Sequence, residues 1–419
     1  MTQTAATGFR GIFDTLRHPD YGRFVAGNAV SLIGTWMQRI AVGWLTWELT
    51  ASPTWLGIIA MTELFPVVFL GPFGGALADR FDRVRILIIS QACAAALALI
   101  LFALSVSDAL TIWPLAFLTL VSGGAIGLSQ ASRLAMAPSL VPAAHLTTAI
   151  AINSMVFNAA RFVGPVFAGA LVASWRLDAA FLINALSYLA LIVALASMRT
   201  ERNVGAAAHG RSILAEIGDA ISFAARHAAI GPLLLLAFVA TLCIRPLFEL
   251  LPAFADTVFG QGADGFAILV ACVGAGAVAG GLWMAQHGGR AAVPRRALLG
   301  TLLAVGANLA ILASPTFLIA LPCAAVAGAA MVISGIGTQT TLQFSVASHM
   351  RGRVLSLYGV IFIGGPALGA LIIGAIAETA GLRPPLTIAA VIVGLVWLWA
   401  WSRRTTIVEA MMMPPGEGP

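Results

Sequence analysis

The chain has 419 residues, 60% of them hydrophobic and 10% charged, with a net charge of +6 and a mean hydropathy of +0.96. A soluble domain carries about 25% charged residues, so this composition excludes a water-covered fold and demands a bilayer. Lysine is absent and all 23 basic residues are arginine, which excludes a Walker-type ATP loop and Schiff-base chemistry, both of which need lysine.

In chain order, residues 1–21 read as a short cytoplasmic tail with no apolar, cleavable leader. Apolar runs bounded by charge, proline or glycine then predict spans near 22–48, 53–78, 85–107, 110–136, 146–173 and 178–198, a crossing helix needing about 20 apolar residues. The polar stretch 199–229 interrupts them. Within it Ile213, Ile217, Ile221 and Ala225 recur every four residues, the spacing of an amphipathic helix on the inner leaflet. Six more spans follow near 230–256, 263–286, 295–313, 315–341, 351–378 and 384–402, and 403–419 forms a second cytoplasmic tail. The expected fold is an all-α membrane protein of twelve transmembrane helices in two six-helix bundles, 22–198 and 230–402.

Arginine sets the expected orientation. The tails and the even-numbered loops hold most of it, from Arg10 to Arg404, while only Arg176 and Arg383 lie at the opposite ends of spans. Both termini are therefore expected in the cytoplasm. The positive charge is orientation charge, and no nucleic-acid face is expected. Cys93, Cys243, Cys272 and Cys323 stand alone in apolar spans and the six histidines are dispersed. That pattern suits packing cysteines and no metal site or other cofactor.

The turn after the second span, Gly74-Gly75-Ala76-Leu77-Ala78-Asp79-Arg80-Phe81-Asp82-Arg83-Val84-Arg85, packs five charges into seven residues between apolar runs. Small residues let helices approach and arginines hold a turn at the surface. The stretch resembles the loop between helices two and three of major facilitator superfamily transporters, Gly-x-x-x-Asp-Arg-x-Gly-Arg-Arg/Lys. Gly75, Asp79, Arg80, Arg83 and Arg85 fit, while Asp82 replaces the glycine and Val84 a basic residue. Gly34-Thr35-Trp36-Met37-Gln38-Arg39 with Trp44, Leu49-Thr50-Ala51-Ser52-Pro53, Leu140-Val141-Pro142 and Arg351-Gly352-Arg353-Val354 extend the likeness to the branch containing the enterobactin exporter and macrolide-efflux proteins. The resemblance implies a latch in which Asp79 holds Arg133 or Arg351 when the inner side is closed; the plainer reading is that these charges only fix topology. It also implies a monomer with no use of ATP.

The halves echo one another. Gly164-Pro165 in span five recurs as Gly365-Pro366 in span eleven, Arg39 as Arg245, and Leu77-Ala78-Asp79 as Met284-Ala285-Gln286. Duplication followed by drift gives such offsets, and a site between two bundles is the expected arrangement. Arg161-Phe162-Val163-Gly164-Pro165 is similar to the motif that marks proton-antiport exporters, or else is an ordinary kink.

Charge inside a bilayer is costly and marks candidate sites. Arg39, Glu63, Arg161, Arg245 and Glu249 fall well inside spans, whereas Glu48, Asp256 and Glu378 lie near outer ends and are expected to be solvated. Glu63 is placed where it can face Arg39 on the neighbouring span, and Arg245 and Glu249 are four apart on one helix, a spacing that allows a direct pair. Structural pairing accounts for both pairs as readily as function does. Arginine stays charged and holds anions without cycling a proton, so one of the two glutamates, Glu63 first, is the candidate proton carrier. The chain is thus expected to be a bacterial inner-membrane secondary transporter and no enzyme. It would export small amphipathic or anionic compounds, siderophore or drug, in exchange for protons. Proton-symport uptake is the alternative, and a membrane-embedded enzyme or channel a distant one.

Overall fold

The computed structural model describes residues 9–407 other than 175, 199–217, 219–220, 225–226, 228–229, 288–291 and 347, and among them there are helices and no strand. A short helix α1 (Phe9–Leu16) precedes α2 (Pro19–Thr50), α3 (Pro53–Arg80), α4 (Arg83–Val106), α5 (Ile112–Ser139), α6 (Leu146–Ala173) and α7 (Leu177–Ala196). Then come α8 (Ile230–Cys243), α9 (Gly262–Gln286), α10 (Val293–Ala313), α11 (Phe317–Ser345), α12 (Ser348–Ala380) and α13 (Arg383–Ser402). Helix is the form that satisfies every backbone group without water. Eleven segments are long and apolar enough to cross a membrane, with α8 counted through to Glu249. The twelfth long helix, α2, has 32 residues but carries Asn28, Gln38 and Arg39 along its middle and falls outside that set. Most of the expected amphipathic stretch, including Ile213, Ile217 and Ala225, lies outside the described residues.

Span seven differs from expectation. The apolar run predicts a span near 230–256, but regular helix stops at Cys243. Single turns Pro246–Glu249 and Leu251–Ala253 and a π turn Phe254–Val258 follow. Pro246 and Pro252 supply no N–H to the ladder, and hydropathy does not register that loss.

The helices form two compact units. The first comprises residues 1–45 and 62–209, the second 46–61 and 210–419. The core of the first includes Tyr21, Phe24, Leu87, Leu191 and Leu195 from α2, α4 and α7, with the Tyr21 hydroxyl donating to the Ala149 carbonyl at 3.0 Å. In the second, Leu236, Ile244, Leu298 and Trp397 pack together, and Trp397 Nε1 donates to the Leu298 carbonyl at 2.7 Å.

The connection from α2 to α3 thus belongs to the second unit. Ala51 takes a φ of 47°, the left-handed turn that closes a helix, and Pro53 opens α3, where its missing N–H costs nothing. Trp47 Nε1 donates to Asp256 Oδ2 at 3.0 Å. Ser52 Oγ at 2.9 Å, Thr54 Oγ1 at 2.8 Å and the Thr54 amide at 3.3 Å all donate to Glu378 Oε2. Asp256 and Glu378 are therefore engaged by protein donors and not merely solvated, because the hairpin brings hydroxyls, an indole and a helix N-terminus to them.

Candidate functional site

Within the first unit the sequence-nominated charges Arg39, Glu63 and Arg161 come together around one aromatic ring. Arg39 Nε lies 3.7 Å from Glu63 Oε2, with the two side chains 16% and 21% exposed. The guanidinium carbons of Arg39 and Arg161 stand 5.4 Å and 5.5 Å from the centre of the Trp36 ring, within cation–π range. Phe157 meets the same indole edge-on at 6.1 Å. Two cations, one carboxylate and two aromatic faces make a site that can hold an amphipathic molecule and carry a titratable proton.

Helix packing fixes this geometry. A Cβ on Gly164 would lie 2.6 Å from Trp36 Cβ and 2.8 Å from the Ile33 carbonyl, so only glycine lets α6 rest on α2 there. That contact brings Arg161, one turn earlier, over Trp36. Glu63 lies where α3 meets α5, beside the Thr62–Thr119 hydroxyl contact of 2.9 Å.

One face of α2 holds a polar stripe that sequence reading caught only in part. Asn28, Ser31, Thr35 and Gln38 follow helical spacing and meet Arg133, Gln91, Tyr188 and Asn184. Arg133 Nη1 donates to Asn28 Oδ1 at 2.6 Å and Ser31 Oγ to Gln91 Oε1 at 2.8 Å. Thr35 Oγ1 bonds the Tyr188 hydroxyl at 3.3 Å, and Asn184 Nδ2 donates to Gln38 Oε1 at 2.7 Å. The 28, 31, 35, 38 spacing was the available signal.

In the second unit Arg245 sits at the break after α8. Its Nη1 donates to the Phe362 carbonyl at 3.4 Å and its guanidinium lies 4.1 Å from the Phe362 ring. Glu249 ends the single turn that follows. Gly365 and Pro366 are buried, and a Cβ on Gly365 would strike Thr241 of α8. Each unit therefore pairs an intramembrane arginine with an aromatic ring, beside a glycine-proline step on the facing helix.

The charged turn departs from expectation at its glycines. Gly75 faces open space within 4 Å, whereas a Cβ on Gly74 would lie 2.5 Å from the Leu128 carbonyl, so Gly74 makes the close approach. Arg133, one of the two arginines that the resemblance assigns to Asp79 when the inner side is closed, is bonded here to Asn28, a buried acceptor on the α2 stripe. Arg351 donates to the Val346 carbonyl at 3.3 Å and 3.4 Å. Arg83 reaches back to the Ala78 carbonyl at 3.4 Å, while Arg80 is exposed.

Asp82, the residue that departs from the family pattern, caps α4: its side chain accepts from the Val84 amide at 2.9 Å, and Arg85 Nε lies 3.8 Å from its Oδ2. Asp82→Ala is expected to cost about 1 kcal/mol, and Asp82→Gly only a few tenths. Thermal unfolding in detergent reads the difference, and equal melting temperatures for the two variants would count against the cap.

A family model described as transmembrane secretion effector matches residues 11–415. Macrolide efflux protein A of Streptococcus pyogenes is 24% identical over 366 residues, covering 85% of this chain and 89% of that one. The enterobactin exporter EntS of Shigella boydii is 26% identical over 370 residues and 85% of each chain. Two other curated relatives match over shorter stretches, and the chain spans 38% and 42% of their length. Among solved structures, a bacterial homologue of the lysosomal transporter Spinster superposes with a TM-score of 0.72 at 16% identity, over 94% of this chain and 99% of that one.

Proposed function

We propose that this chain, which belongs to the transmembrane secretion effector family, exports small amphipathic compounds, a siderophore or drugs, in exchange for protons. It does so across a bacterial inner membrane with both chain termini in the cytoplasm. The observation that carries the reading is the Arg39–Glu63 contact beside the doubly flanked Trp36.

The coupling follows from which partner Glu63 keeps. A substrate whose ring lies against Trp36 and whose hydroxyl or amine donates to Glu63 needs the ionised carboxylate, so it competes with the proton. Competition for one group gives exchange: substrate loads as the proton leaves on one side, and the reverse occurs on the other. The relatives named as exporters of enterobactin and macrolides support the outward direction.

A second reading rests on two arginines to one carboxylate. An anion that draws Arg39 away from Glu63 favours protonation of that glutamate, so anion and proton travel together. That sign gives uptake by symport.

Whole-cell accumulation of a fluorescent amphipathic dye, with and without a protonophore, separates the two. Export predicts low accumulation that rises when the proton gradient collapses; uptake predicts the opposite. Cells carrying Glu63→Gln should match protonophore-treated cells without the drug.

A further inference from the structure

A cavity whose lining includes none of the charged cluster opens among α3, α4 and α5 of the first unit. Its volume is 660 Å³, and its lining includes Phe65, Phe69, Leu77, Ile86, Ile89 and Leu120. Its one notable polar side chain, Ser90, spends its hydroxyl on the Ala125 carbonyl at 2.8 Å. Phe65 and Phe69 stack at 5.4 Å along one wall, and Phe69 and Ile89 are 63% and 69% exposed, so the groove faces outward along its length. From Phe65 to Leu77 it follows α3 for about 18 Å, at 1.5 Å per residue.

Its end is charged. Leu77 and Ile86 stand on either side of the turn that carries Arg80, Arg83 and Arg85. Arg83 is turned back to the Ala78 carbonyl, but Arg80 is exposed and the Arg85 side chain is 64% exposed. A slot with apolar walls that ends at two exposed guanidiniums matches a molecule with an alkyl tail and an anionic head.

The second half carries small residues at the positions of two of the α3 phenylalanines. Phe69 and Phe73 correspond, 207 positions further on, to Gly276 and Gly280. There a Cβ on Gly280 would lie 2.6 Å from the Ala329 carbonyl, and one on Gly276 would strike Ala325. The turn after α9 has Gln286 in place of Asp79.

We propose that the α3–α4–α5 groove is a binding site for an anionic phospholipid, one acyl chain lying between Phe69 and Ile89 and the phosphate on Arg80 and Arg85. Basic residues at a cytoplasmic surface attract anionic lipid, and the proposed sidedness puts this turn on that face. The site is independent of what the charged cluster carries.

Native mass spectrometry of the full chain, equilibrated with equal phosphatidylglycerol and phosphatidylcholine, tests it. Wild type is expected to retain one phosphatidylglycerol in about tenfold preference, a difference of about 1.4 kcal/mol. Arg80→Gln with Arg85→Gln should remove the preference while some lipid stays bound. Ile89→Trp and Leu120→Trp, each adding bulk at a side chain already exposed by 69% and 42%, should block retention of either lipid. Melting curves identify any variant that has not folded, and either tryptophan variant suffices. Three results would overturn the proposal: equal retention of both lipids by wild type, a preference unaffected by the arginine changes, or displacement of the lipid by the transported dye.

Discussion

Exchanging Glu63 for glutamine is expected to abolish proton-driven export while leaving the fold in place. Glutamine keeps the size and most of the hydrogen-bonding capacity of the side chain but cannot release a proton. In vesicles with an imposed pH gradient, dye movement should fall by about tenfold or more, equivalent to about 1.4 kcal/mol on the barrier. Exchange of labelled for unlabelled dye without a gradient should fall as well, because glutamine stands in for the protonated carboxyl with which the substrate competes. Arg39 then keeps a neutral partner at a site only 16% exposed, which costs about 1–3 kcal/mol of stability, so melting curves belong beside the transport assay. Gradient-driven movement at the wild-type rate would remove Glu63 from the proton path.

A second large effect is expected at Gly164. The glycine-proline pair in α6 can be read as a bend or as a contact, and the geometry favours contact. Gly164 touches Trp36, Ile33 and Met37 of α2 within 3.0 Å of where a Cβ would stand, while Pro165 lies inside a helix that runs unbroken from Leu146 to Ala173. Gly164→Leu must push α6 off α2, at a cost of about 1–3 kcal/mol or more, and it carries Arg161 away from Trp36. Transport should be lost and the melting temperature lowered. Pro165→Ala restores a backbone donor with little change of volume and should keep most of the activity. The reverse order, with Pro165→Ala inactive and Gly164→Leu active, would restore the bend as the motif's purpose.

Much of this molecule could be read without coordinates because a bilayer permits few solutions. Long apolar runs between arginine clusters become helices, and an arginine or glutamate within one has to find a partner. Arg39 and Glu63 were legible for that reason: two costly charges on adjacent spans resolve each other. Details that depend on a single backbone group were not legible. The break at Arg245 follows from Pro246 and Pro252, which leave hydropathy unchanged while removing donors. Arg133 goes to Asn28 because α2 carries a polar stripe, and sequence spacing shows such a stripe without showing which partner each of its residues meets. Gly74 and Gly75 are indistinguishable in composition, and only the rotation of α3 decides which of them meets Leu128.

The hairpin between α2 and α3 bears on how the duplicated halves have aged. Residues 46–61 are an arm that the first repeat lends to the second, tied by Trp47 to Asp256 and by Thr54 to Glu378, pairs separated by 209 and 324 positions. The two sequence halves are therefore not interchangeable blocks. A recombination event that swapped one half for a relative's would orphan two carboxylates and three hydroxyl or indole donors together. Replacement of the residues in these pairs must therefore proceed in matched steps.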